Sequence, residues 1–132
     1  MTDFRTVTDT FAVSPQISIA DVAVAAAQGF TLIINNRPDG EVAGQPSGAE
    51  IEAAARAAGL DYLAAPVVGR PGAAQVEAVR EAVGGAKGRV LAYCRSGTRS
   101  INTWAMGQSG AVDRDRLLRL GASAGYDLAA VI

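Results

Sequence analysis

The sequence predicts an α/β domain with a mostly parallel central sheet of four to five strands flanked by helices. Two observations carry that prediction. Runs such as Phe30–Asn35 and Arg89–Tyr93 are short and apolar, the first also rich in β-branched residues, as strands buried on both faces are. Longer segments with helix caps and helical spacing stand between them, so helices and strands alternate along the chain.

In chain order, Phe11-Ala12-Val13 and Gln16-Ile17 read as extended, with Ser14-Pro15 a turn or bulge between them. Ser18 caps a helix running to about Gln28, with Asp21 in its first turn and Gly29 as the stop. Phe30–Asn35 suits a central strand. Ser47-Gly48-Ala49-Glu50 matches a capping box and opens a helix that closes at Gly59. Asp61–Val67 reads as a further strand. Gly72 or Ala73 begins a helix with Val76, Val79 and Val83 on one face, ended by Gly84-Gly85. Arg89–Tyr93 is the next strand, and a helix starts near Ser100 with Ile101, Trp104 and Ala105 as its core stripe. A short helix is expected over Asp113–Leu120, and a last one from Gly125-Tyr126-Asp127.

Composition bounds the chemistry. The length of 132 residues fits one domain, and 49% hydrophobic residues suffice for a core without a disulfide or structural metal. The 12 basic and 13 acidic residues give a net charge of −1, which supplies neither a nucleic-acid face nor a polybasic membrane anchor. No apolar run approaches the ~20 residues that span a bilayer. The start, Met1-Thr2-Asp3-Phe4-Arg5, lacks an apolar signal core, so a cytoplasmic location is expected. The chain has no histidine, which removes Ser-His-Asp triads, Cys-His dyads and histidine-ligated zinc. Its one cysteine removes a cysteine-rich zinc site, and no metal or cofactor is expected.

That cysteine, Cys94, heads the loop Cys94-Arg95-Ser96-Gly97-Thr98-Arg99-Ser100, between a strand end and a helix start. Free backbone N–H groups and the positive end of a helix dipole favour thiolate over thiol there, and Arg95 and Arg99 add fixed positive charge. In an open parallel sheet this is also where ligands bind, beyond the carboxyl ends of the strands. Arg99 can clamp an anion with its planar donor fork. Arg95 either assists or points to solvent. Gly97 supplies a positive φ that lets the loop curl. Ser96, Thr98 and Ser100 offer hydroxyls, with Ser100 equally suited to an ordinary N-cap. A buried structural thiol is the plainer reading of Cys94. The six polar or flexible residues that follow it argue against that reading.

Asn35-Asn36-Arg37-Pro38-Asp39-Gly40-Glu41, then Gly44-Gln45-Pro46, then Ala92-Tyr93-Cys94-Arg95-Ser96-Gly97-Thr98-Arg99-Ser100 resemble the beta-lactamase-hydrolase-like, phosphatase-like domain family. The resemblance implies a dual-specificity-phosphatase-like fold and, within the family, either phosphatase or sulfurtransferase activity. The chain departs from tyrosine phosphatases in three places. Four residues, rather than five, separate Cys94 from Arg99; Tyr93 replaces the usual preceding histidine; and Pro66–Gly72 holds no aspartate to act as acid. Arg37-Pro38-Asp39-Gly40 has the chemistry of a turn. Arg37 could also lend a second cation, and Asp39 is the best substitute for the missing acid, with Glu41 and Gln45 behind it.

These readings converge on a small anionic substrate: thiosulfate, a persulfide or a phosphomonoester. The four-residue loop favours a sulfurtransferase, in which Cys94 carries sulfane sulfur as a persulfide to a thiol acceptor. The alternative is a phosphatase working through phosphocysteine. A third reading, of another class, is a non-catalytic anion-binding or redox-sensing module with Cys94 as sensor.

Overall fold

A computed structural model describes residues 2–132. Five strands, β1 (Arg5–Thr8), β2 (Phe11–Ser14), β3 (Phe30–Asn35), β4 (Asp61–Ala64) and β5 (Arg89–Tyr93), form one sheet in the order β1-β2-β5-β3-β4. All pairs are parallel except β1–β2. Five helices, α1 (Ile19–Ala27), α2 (Gly48–Ala57), α3 (Ala73–Gly85), α4 (Thr98–Gln108) and α5 (Arg114–Ala124), cover the two faces.

The period of two along the central strands sorts the core into two layers. Ile33, Leu91 and Tyr93 face Val22, Ala25, Ile51 and Ala55 of α1 and α2. Leu32, Ile34, Val90 and Ala92 face Val79, Ile101, Trp104, Ala105 and Leu117 of α3, α4 and α5. Trp104 lies flat on Phe11, with ring centroids 5.1 Å apart. Its place in the core agrees with the helical stripe in the sequence.

The two capping boxes form as their spacing predicts. Ser18 accepts from the Asp21 N–H and Ser47 from the Glu50 N–H, while each acid returns a bond to the cap's own backbone. Four elements differ from expectation. β1 has no counterpart in the sequence reading. Gln16-Ile17 is not a strand, because the chain has already left the sheet after Ser14. β4 stops at Ala64, although Ala65 and Val67 still donate to Asn35 and Asn36 beyond it. The helix expected from Gly125 is absent. Instead α5 runs one turn past Leu120, Gly125 closes it at φ 94°, and the chain folds back so that the Tyr126 N–H donates to the Gly121 carbonyl.

Among the described residues, no helix is long and apolar enough to cross a membrane.

Candidate active site

β5 lies between β2 and β3, so its carboxyl end opens onto the middle of the sheet rim. The backbone there is pinned from both sides. Cys94 donates its N–H to the Ser14 carbonyl, Gln16 donates to the Arg95 carbonyl, and Asn36 donates to the Tyr93 carbonyl. From this fixed start the chain turns directly into α4. The turn is made by Gly97, the N-cap of α4, at φ 89°. Only glycine adopts that backbone freely, and a Cβ here would also collide with the Tyr126 hydroxyl.

The curl aims the Gly97 N–H at the Cys94 sulfur, 3.1 Å away. Cys94 is fully buried, yet the amide of its loop is turned toward it. Among the described residues, the N–H groups of Arg95, Ser96, Arg99 and Ser100 meet no protein acceptor. Open amides at a helix start are the groups with which proteins bind anions.

The side chains of the loop divide by position. Arg95, Ser96 and Thr98 are exposed. Ser96 Oγ donates to Thr98 Oγ1 at 3.0 Å and faces the Thr98 N–H at 3.4 Å. Ser100 is not the N-cap, because α4 begins two residues earlier. It is fully buried in the first turn, and its hydroxyl has no partner among the described residues. A buried hydroxyl without a partner costs stability unless a ligand or water meets it.

Arg99 is held from outside the loop. Its Nη1 donates to Glu41 Oε2 at 2.7 Å and to the Val67 carbonyl at 2.8 Å, and its Nη2 donates to Glu41 Oε1 at 2.8 Å. Arg37, almost wholly buried, donates its Nε to the same Glu41 Oε1 at 2.9 Å and its Nη1 to Gln16 Oε1 at 3.0 Å. Glu41 thus joins two of the three arginines that the sequence singled out, Arg37 and Arg99. Arg99, and after it Arg37, holds the Glu41 carboxyl down from 4.5 to about 2. Hydrogen bonding to Glu41 raises the Arg99 pKa, and the nearby Cys94 sulfur adds to the shift.

Asp39 is engaged elsewhere. Its Oδ1 accepts the Gly48 N–H at 2.7 Å, satisfying the first turn of α2. Asn35 and Asn36 close the strand end: Asn35 Oδ1 accepts from the Arg37 N–H, and Asn36 Nδ2 donates to the Ala65 carbonyl. A cavity of about 380 Å³ lies one strand over from Cys94. It is lined by Asn35, Arg37, Pro38, Asp39, Ala64 and Pro66 together with α2 residues.

The sequence reading did not find two contributors. The Tyr126 hydroxyl donates to the Ser96 carbonyl at 2.8 Å and braces the loop from the chain's last turn. Burial raises that hydroxyl's pKa, which keeps the proton it donates. Val67 acts through its carbonyl, which no side-chain pattern reveals. No group of three or more acidic or cysteine side chains able to hold a metal occurs among the described residues.

The family described as beta-lactamase hydrolase-like protein, phosphatase-like domain, matches residues 3–111. The chain belongs to that family. A beta-lactamase hydrolase-like protein of Agrobacterium fabrum is 37% identical to the phosphatase-like domain over 121 residues, covering 89% of this chain and 28% of the relative. The relative of the same name in Xylella fastidiosa is 36% identical over 125 residues, covering 92% of this chain and 29% of its own length. The domain therefore spans less than a third of these curated relatives. The crystal structure of a "putative phosphatase" from Neisseria meningitidis superposes with a TM-score of 0.84 at 33% identity, covering 96% of this chain and 91% of that one. P. aeruginosa TpbA in complex with pTyr superposes with a TM-score of 0.68 at 17% identity, covering 94% and 75%. The fold is that of protein tyrosine and dual-specificity phosphatases, as the resemblance implied.

Proposed function

We propose that this phosphatase-like domain is a cysteine-dependent phosphomonoesterase that prefers aryl esters. The observation that carries the proposal is the curl of the Cys94 loop, with the Gly97 amide 3.1 Å from the sulfur beside the Arg99 guanidinium. The Cys94 thiolate attacks phosphorus, the bond from phosphorus to the ester oxygen breaks, and phosphocysteine and an aryloxide result. Water then attacks phosphocysteine, releasing inorganic phosphate and restoring the thiolate, and its proton passes to solvent. The loop amides and Arg99 hold the equatorial oxygens through both steps. The exposed Arg95, Ser96 and Thr98 would line the mouth, and the unpartnered Ser100 hydroxyl is a further donor available to the anion.

The preference for aryl esters follows from the acids. Glu41 stays ionised between two arginines, Asp39 is bound to the start of α2, and Pro66–Gly72 has no carboxylate. The leaving oxygen departs without a resident proton donor, which an aryloxide does far more readily than an alkoxide. The pTyr bound to TpbA is an ester of this class.

Sulfur transfer is the second reading, favoured by the four-residue spacing between Cys94 and Arg99. Cys94 would take the outer sulfur of thiosulfate or a persulfide, releasing sulfite or a thiolate as an anion, and pass it to an acceptor thiol. Neither step needs an acid. One preparation assayed for phosphate release from phosphotyrosine and phosphoserine, and for sulfur transfer from thiosulfate and glutathione persulfide, separates the two readings. We expect phosphotyrosine turnover to dominate and to vanish in Cys94→Ser. Faster sulfur transfer that also requires Cys94 would select the second reading.

A further inference from the structure

Glu41 follows a turn of the type Pro-Asp-Gly, and among the described residues its carboxylate is the one that meets two arginines. A carboxylate lodged between two arginines beside an anion site has two opposite meanings. It can occupy the place of the substrate, so that substrate must displace it. Alternatively, it can aim the arginine at a substrate bound elsewhere.

The donors of Arg99 distinguish the two. A guanidinium has five N–H groups in one plane. Glu41 meets Arg99 end-on and takes one proton from each Nη, and the Val67 carbonyl takes the remaining proton of Nη1. Among the described residues, Nε–H and the second Nη2–H meet no oxygen acceptor. These two lie parallel along one edge and form the side-on fork that grips two oxygens of a phosphate-like group. The edge suited to an anion is the edge left open.

The Glu41 carboxylate is also anchored too firmly to serve as a displaceable plug. Arg37 holds Oε1 and is itself tied to Gln16. The Glu41 N–H donates to Gln45 Oε1, whose amide donates in turn to the Pro38 carbonyl. The loop is thus fixed at its backbone and at its tip.

We propose that Glu41 is a positioning residue that locks Arg99 end-on and so presents the guanidinium's free edge to an anion bound over Cys94. The proposal rests on the reading that the Cys94 loop binds a tetrahedral anion, and it does not depend on which reaction follows.

The test is tungstate affinity, measured calorimetrically on the full chain and independent of turnover. Glu41→Gln should weaken tungstate binding at least tenfold, because its NH2 group opposes one Arg99 N–H and the aim is lost. Glu41→Asp, which keeps the charge but shortens the reach, should lose less. Arg99→Lys has no fork to aim, so adding Glu41→Gln to it should cost less than a further twofold. Glu41→Gln should also raise KM for phosphotyrosine and lower kcat, while its melting temperature stays within a few degrees of the parent. Unchanged or tighter tungstate binding in Glu41→Gln would overturn the proposal, and tighter binding would make Glu41 a plug. An equal loss in the parent and in the Arg99→Lys background, or a parent chain that binds no tungstate, would overturn it as well. Sound tungstate results without phosphatase turnover would sink the phosphatase reading alone.

Discussion

Gly97 decides where the Cys94 sulfur meets an amide. Its positive φ is what the sequence suggested, since a polar loop that enters a helix at once needs a left-handed residue. What the sequence did not show is the second constraint, the Tyr126 hydroxyl standing where a Cβ would go. Gly97→Ala should therefore cost about 1–3 kcal/mol from backbone strain, with the clash added. Chemical denaturation would measure the stability loss, and phosphate release should fall with it. Arg99→Lys keeps the charge but loses the fork, and we expect phosphotyrosine turnover to drop by roughly 10²–10³. A lysine variant within a fewfold of the parent would mean that charge alone suffices. Cys94, Arg99 and Gly97 were legible because they lie within six residues of one another. The Ser100 environment was not, because a serine at a helix start looks like a cap until the first helical residue is known.

At the scale of elements, local signals succeeded where they were complete. Ser18 with Asp21 and Ser47 with Glu50 each carry cap and counter-cap three residues apart, and both helices start where those pairs place them. Ser47→Ala should cost about 1 kcal/mol of unfolding free energy. It should also loosen the start of α2, where Asp39 is bound, and amide exchange of Gly48 and Ala49 would report that. β1 escaped notice because Arg-Thr-Val-Thr is short and largely polar, and it pairs only at the sheet edge, across an irregular register between Thr6 and Thr8. The helix expected after Gly125 failed for a tertiary reason. Leu128 packs so tightly on Gly121 that a Cβ there would lie 2.7 Å from its side chain. Gly121→Ala should push the terminal turn away and lower the melting temperature, with the Tyr126 brace lost as a consequence.

Across the whole molecule, the link from Arg99 to Glu41 joins positions 58 residues apart, and no local pattern announces it. It also gives the fold an acid limb. Arg99 and Arg37 hold the Glu41 carboxyl near 2 in the folded chain, below its ordinary 4.5. A carboxyl lowered by folding stabilises the native state above its unfolded value and loses that contribution as pH falls through the folded one. The melting-temperature gap between the parent and Glu41→Gln should thus be full at about pH 6 and shrink between about pH 4.5 and 2. Added salt should narrow it at every pH, because the pair is partly open to solvent. A gap that grows on acidification would contradict this assignment. The family match ends at residue 111, yet the hydroxyl that steadies Ser96 arrives from residue 126. A fragment trimmed to the matched boundary would keep Cys94 and lose the strut of its loop. Any shortened version of this chain should end beyond Tyr126, so that the support of the Ser96 carbonyl is kept.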